Sequence, residues 1–107
     1  MRITQEGNVV TLINVFETTP EQQQQLVDQW TRFTEEQVKG EPGLIGAALH
    51  TSIDGTRVIN YAQWRSDADF HRFLNKYREQ FAQWGQNALR IDPHTYDVAY
   101  LYEQAGE

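Results

Sequence analysis

The sequence predicts an α+β fold of the ferredoxin-like type, a βαββαβ subunit with one antiparallel sheet and both helices on one side. Three observations carry this. Four runs rich in β-branched and aromatic residues are separated by two helical stripes in that order. Asp54-Gly55, a strong tight-turn signal, joins the two middle runs into a hairpin. The two remaining connections are long enough to be helical crossovers, the split-βαβ arrangement. With 107 residues and no repeat of fixed period, the chain reads as one domain spanning 1–107.

Val9 to Phe16 forms the first strand. Alternation sets Val10, Leu12, Asn14 and Phe16 on one face, against Val9, Thr11, Ile13 and Val15 on the other. Both faces are nearly apolar, Asn14 being the exception, so the strand calls for cover on both sides. Thr19-Pro20-Glu21-Gln22 opens a helix: Thr19 caps, Pro20 suits the first helical position, and Gln22 completes a capping box. Leu26, Val27, Trp30 and Phe33 follow the helical period, while the Gln22–Gln25 run faces water. Gly40 and Pro42-Gly43 end the helix. Gly40, Gly43 and Gly46 are spaced like a phosphate loop, but they follow a helix and precede a strand, the reverse of a dinucleotide loop.

Leu44 to Ser52 and Arg57 to Trp64 are the hairpin arms, with Val58, Asn60, Ala62 and Trp64 on one face of the second. Ser66 caps a second helix, and Asp69 lies near its N-terminus. Phe70, Phe73, Leu74, Tyr77, Phe81 and Trp84 make its amphipathic stripe, which Gly85 breaks. Asp92-Pro93 separates this helix from a last strand, His94 to Tyr102, with Tyr96, Val98, Tyr100 and Tyr102 on one face. Helices cover one face of such a sheet, yet the strands are apolar on both. The second face therefore needs a partner, and the simplest is another copy, giving a homodimer packed sheet to sheet.

Composition removes several functions. Fifteen acidic and nine basic side chains leave a net charge of −6, so no phosphate-neutralising surface and no nucleic-acid partner are expected. The absence of cysteine excludes disulfides, thiolate nucleophiles and Cys-ligated metal, and fits a cytoplasmic protein. No apolar run approaches the ~20 residues of a membrane span, and the first residues lack a signal-peptide core. His50, His71 and His94 lack metal-ligand spacing, and no G-x-S-x-G elbow occurs. Asn60 and Trp64 are more telling. Four apart in one strand, they project from the same face across small Ala62, and Asn14 joins them if its face is shared. A buried Asn is costly unless its amide is bonded. Two readings stay open: Asn60 bonded to backbone with Trp64 as core, or both aimed into a cavity for an oxygenated aromatic ligand.

The stretch Glu41 to Ser66, with His50-x-Ser52-x-Asp54-Gly55-Thr56 followed by Asn60-Tyr61-Ala62-Gln63-Trp64, resembles the antibiotic biosynthesis monooxygenase family. It is most similar to the actinorhodin-type quinone-forming monooxygenases. The resemblance implies a dimeric α+β barrel and oxidation of a polycyclic phenol or anthrone by O2 without flavin, haem or metal. It also implies that Asn60 donates to the developing oxyanion, that Trp64 is pocket wall and N–H donor, and that His50 belongs to the pocket. Two positions depart from the family pattern: Phe70 stands where a tyrosine is expected, and Trp84 where a helix-borne arginine is expected. Arg78 and Arg90 are the substitutes for that arginine. Substrate-binding candidates are thus His50, Asn14, Phe70 and Arg90, around catalytic Asn60 and Trp64. A haem-degrading branch of the superfamily uses a first-strand Asn, a strand Trp and a helix His. Asn14 and Trp64 fit it, but His71 lies about three turns too early. A non-catalytic dimeric module binding a small aromatic is the remaining alternative.

Overall fold

The computed structural model describes residues 1–84 and 88–105. Its elements are β1 (Val10–Glu17), α1 (Pro20–Phe33), a π-helical turn (Thr34–Val38), β2 (Leu44–Thr51), β3 (Arg57–Trp64), α2 (Asp67–Lys76), α3 (Arg78–Trp84) and β4 (Arg90–Tyr96). All pairings are antiparallel and the sheet order is β2-β3-β1-β4, the ferredoxin-like α+β arrangement.

The expected faces form. Leu12, Phe16, Val58, Ala62 and Trp64 are buried with Leu26, Trp30, Phe33, Val38, Phe70 and Phe73 in one core between sheet and helices. Its helix side is aromatic. Trp30 stacks on Phe81 at 5.6 Å between centroids and meets Trp84 edge-on at 5.1 Å, while Phe33 meets Trp84 at 4.7 Å. Such offset and edge-to-face pairs add to area burial because the ring faces and edges carry opposite partial charge.

The hairpin turn is fixed by Asp54, whose carboxylate accepts from the Thr56 hydroxyl (2.7 Å), the Thr56 N–H (3.0 Å) and the Ser52 hydroxyl (2.8 Å). The Thr56 hydroxyl and amide, then Ser52, favour the charged form and hold its pKa at about 2. Gly55 takes φ +81°, as the turn requires.

Four expectations are corrected. Thr19 precedes α1 in an extended conformation, but its side chain makes no cap bond. The Gln22 amide that a capping box would offer the hydroxyl bonds instead to the Thr19 carbonyl at 3.0 Å. Ser66, by contrast, caps α2 as read, accepting from the Asp69 N–H at 3.0 Å. The second helix is interrupted at Tyr77, whose ψ of 22° leaves the helical region, so the one stripe is carried by two helices. Gly85, where the break was expected, lies outside the described residues.

The last strand is Arg90–Tyr96, not His94 to Tyr102. Pro93 would bound a central strand, but β4 is an edge strand, where a missing N–H is tolerated. Consequently Tyr100 and Tyr102 lie beyond the strand, exposed, and the tyrosine row does not form on one face. Instead the two termini run together. Arg2 pairs with Glu103 at 2.8 Å, Gln5 donates to the Ala99 carbonyl at 3.2 Å, and Gln63 donates to the Arg2 carbonyl at 2.6 Å. This buries Thr11 and Gln63 on the helix-free face, where Ile13, Val15, Ile59 and Tyr61 stay half-buried.

Candidate functional site between sheet and helices

Register builds the site. β1 and β3 place Asn14 directly opposite Asn60, with Leu12 opposite Ala62 and Phe16 opposite Val58. Directly opposed side chains on one face of an antiparallel pair stand roughly 5 Å apart at Cβ. The two amides therefore sit side by side beneath the helices. Trp64, two strand repeats further along the same face, is buried and packs on Phe73 and Phe70 of α2 at 5.2 and 5.8 Å.

Two cavities open in this layer. The larger, of about 220 Å³, runs under the end of α1 and the π-helical turn, with Leu44, Ala47 and Leu49 of β2, and reaches Asn60 and Trp64. The smaller, of about 120 Å³, lies under α2 and α3, walled by Phe70, Leu74, Phe81 and Trp84 above and by Asn14, Ile91 and Pro93 on the sheet. They share Leu12, Trp30, Asn60 and Phe73, so Asn60 borders both. Three buried polar atoms beside them lack a hydrogen-bond partner among the described residues: Asn14 Oδ1, Trp30 Nε1 and Trp64 Nε1. Each costs on the order of 1–3 kcal/mol if left unpaired. One acceptor and two donors unpaired around apolar space is the pattern of a site for an oxygen-bearing apolar molecule.

Of the sequence-predicted residues, the structure brings together Asn14, Asn60, Trp64 and Phe70. His50 and Arg90 lie elsewhere. His50 is opposite Ile59 and so faces the helix-free side, exposed. Arg90 alternates with Ile91 onto that same side and is ion-paired to Glu17 and Asp92 at 3.8 Å each. Arg78, the other substitute for the missing arginine, is directed to Asn75 on the outside. The hairpin closure Ser52 N–H to Arg57 carbonyl (3.0 Å) fixes which residues oppose, and the Asp54-Gly55 turn carried that signal for His50.

Two wall residues escaped the sequence reading. Periodicity gives Trp30 only as a member of the apolar helix face, and its unpaired N–H leaves no trace there. Glu35 reaches the larger cavity because the π-helical turn shifts the residues after Phe33 relative to an α-helix.

Haem does not suit these walls. No histidine lines either cavity among the described residues, and His71 is exposed on α2, paired with Asp67 at 3.1 Å. Among the described residues there is also no group of three or more His, Asp or Glu that could hold a metal. No helix among them is long and apolar enough to cross a membrane.

A ferredoxin-like sheet with aromatic-walled, sparsely polar cavities beneath its two crossovers places the chain in the ferredoxin-like α+β class. Residues 9–87 match the antibiotic biosynthesis monooxygenase family, and the chain belongs to it. It is 46% identical over 68 residues to tetracenomycin-F1 monooxygenase of Streptomyces glaucescens, a match covering 64% of this chain and 61% of that protein. The match thus spans less than two thirds of that relative. Among solved structures it is similar to a monooxygenase from the gene ActVA-Orf6 of Streptomyces coelicolor in complex with nanaomycin D. That likeness has a TM-score of 0.66 and 26% identity, over 90% of this chain and 93% of that one. An anthrone oxidase-like protein has the same fold, with a TM-score of 0.82 at 24% identity over 92% of this chain and 42% of its own.

Proposed function

We propose that this chain is a cofactor-independent monooxygenase that oxidises a polycyclic phenol or anthrone of the aromatic polyketide type to a quinone with O2. The observation that supports it best is the juxtaposition of Asn14, Asn60 and Trp64 with unpaired buried polar atoms at apolar cavities. Similarity to tetracenomycin-F1 monooxygenase and to the nanaomycin D complex supports the substrate class.

In this reading the substrate is its own reductant. Loss of one proton gives an electron-rich phenolate, which passes one electron to O2. The carbon radical and superoxide combine in a C–O bond, forming a peroxide anion that takes up a proton. The second hydrogen leaves that carbon as the O–O bond breaks, so CH2 and O2 become C=O and H2O. Asn60 and Trp64 donate hydrogen bonds to the oxyanion, and Asn14 Oδ1 accepts the substrate's remaining phenolic hydrogen. Donors already aimed at developing charge in a water-poor layer need no reorganisation, which is where such sites gain rate. Phe70 contributes a wall and exchanges no proton.

The working unit in this proposal is a single domain over 1–107, paired as a homodimer through the helix-free face. Half-buried Ile13, Val15, Ile59 and Tyr61 on that face support the pairing. The decisive experiment is aerobic incubation with emodinanthrone and a panel of anthrones and hydroquinones, following quinone absorbance and oxygen uptake. A rate no higher than the protein-free control across the panel defeats the proposal. Asn60→Ala is expected to lower turnover at least tenfold with the oligomer unchanged.

A further inference from the structure

Resting on the reading above, we infer that Trp30 is a further catalytic residue: its indole N–H donates to the oxygen that the reaction adds, on the edge of the substrate away from Asn60 and Trp64. Trp30 lies on α1, is 8% exposed and lines both cavities. Its N–H has no partner among the described residues. Buried tryptophans ordinarily find a bond for this group, so a sealed and unpaired N–H calls for a partner that arrives later.

Two indoles approach the larger cavity from opposite ends of β3. Trp64 ends that strand and packs on Phe70 and Phe73 of α2. Trp30 packs at 5.7 Å on Phe16, which is paired with Val58 near the strand's other end. Val58 and Trp64 are six residues apart, ~20 Å of strand, and Asn60 lies between them. Phe81 and Trp84 of α3 pack on Trp30 at 5.6 and 5.1 Å, which fixes its ring.

An anthrone of the type proposed carries its carbonyl and flanking hydroxyls along one edge, and the reacting CH2 lies across the central ring. With the carbonyl oxygen on Asn60 and Trp64, the CH2 is turned toward Trp30, and the bound substrate leaves that N–H unpaired. When the carbon radical and superoxide form the C–O bond, the peroxide anion brings an acceptor to this edge. Trp30 then donates a hydrogen bond and keeps its proton, because an indole N–H is far too weak an acid to give it up. The proton that the peroxide takes up comes from solvent. As the O–O bond breaks and water leaves, the quinone carbonyl inherits the hydrogen bond. A donor paired only once oxygen has added stabilises the transition state and not the ground state, so it raises kcat rather than affinity for the substrate.

Chrysophanol and its anthrone test this, since they differ only by the oxygen on the carbon opposite the carbonyl. Each is titrated calorimetrically into the full chain, the anthrone under argon. Trp30→Phe is expected to weaken chrysophanol at least ~tenfold and to leave the anthrone within about threefold of its affinity for the parent protein. Trp64→Phe is expected to weaken both ligands alike. With emodinanthrone and O2, Trp30→Phe is expected to lower kcat at least ~tenfold with KM within about threefold. If Trp30→Phe does not fold, benzothienylalanine at this position, in which sulfur replaces the N–H in a ring system of the same size, reads the same differences. Equal weakening of the two ligands, or of neither, overturns the inference alone. If neither ligand binds the parent protein, the aromatic site and the inference fall together. If Trp30→Phe weakens chrysophanol alone but the parent turns over no anthrone, Trp30 stands as the donor to that oxygen and the oxidation reading falls.

Discussion

Trp64→Phe separates what the fold needs from what the site needs. Trp64 is 2% exposed, packed on Phe70 and Phe73, and its indole N–H has no partner. The substitution keeps a six-membered ring but removes the pyrrole edge. Losing those few atoms from a packed core costs roughly 1–2 kcal/mol, on the scale of large-to-small core changes. It also removes a buried unsatisfied donor, which returns about 1–3 kcal/mol. The two nearly cancel, so stability is expected to change by less than about 1.5 kcal/mol, a Tm shift of at most roughly 10 °C for a domain this size. Turnover has no such compensation. Loss of a hydrogen bond to an oxyanion is expected to lower kcat by roughly ten- to a hundredfold or more. Urea unfolding followed by circular dichroism reads the first quantity, and oxygen uptake with emodinanthrone the second. A destabilisation above about 3 kcal/mol would mean that the indole N–H is bonded in the folded protein, refuting the reasoning about orphaned donors. Full activity in a stable variant would remove Trp64 from the site.

Other outcomes follow from local geometry. Ser66→Ala deletes the one side-chain cap of α2 and is expected to cost about 1 kcal/mol in urea unfolding, whereas Thr19→Ala, with no cap bond to lose, should cost clearly less. Gly43→Ala is expected to destabilise by at least ~2 kcal/mol, because φ is +86° and a Cβ would run into the Asp69 side chain. Asp54 has a folded pKa of about 2, below its ordinary 3.8. Its contribution is therefore complete above pH 3.8 and is lost as pH falls toward 2, and Asp54→Asn should abolish that segment of the acid-unfolding curve.

Much of this was legible in the chain because strand alternation and the Asp54-Gly55 turn are strictly local signals. They put Asn60 and Trp64 on one face and Asn14 with Leu12 and Phe16, while the register of β1 on β3 is what makes the two faces one. His50 was misplaced because likeness of a motif says nothing of strand parity, although the turn already paired it with Ile59. β4 was misread because Pro93 stops a central strand but not an edge, and edge status is a property of the whole sheet. The π-helical turn and the helix break at Tyr77 have no periodic signature, yet they bring Glu35 and Trp84 to the cavity walls.

The pairing of Asn14 with Asn60 also sets how this protein tolerates error. Because side chains alternate, a slip of one residue between β1 and β3 would turn one of the two amides to the opposite side of the sheet and carry half the core with it. No gently misaligned, partly competent version is accessible. Substitutions at strand positions that line neither cavity, such as Val58, therefore threaten the site only by lowering the population of folded molecules, while every molecule that does fold presents the same two amides. Loss of function from the strands should be graded in yield and uniform in specific activity.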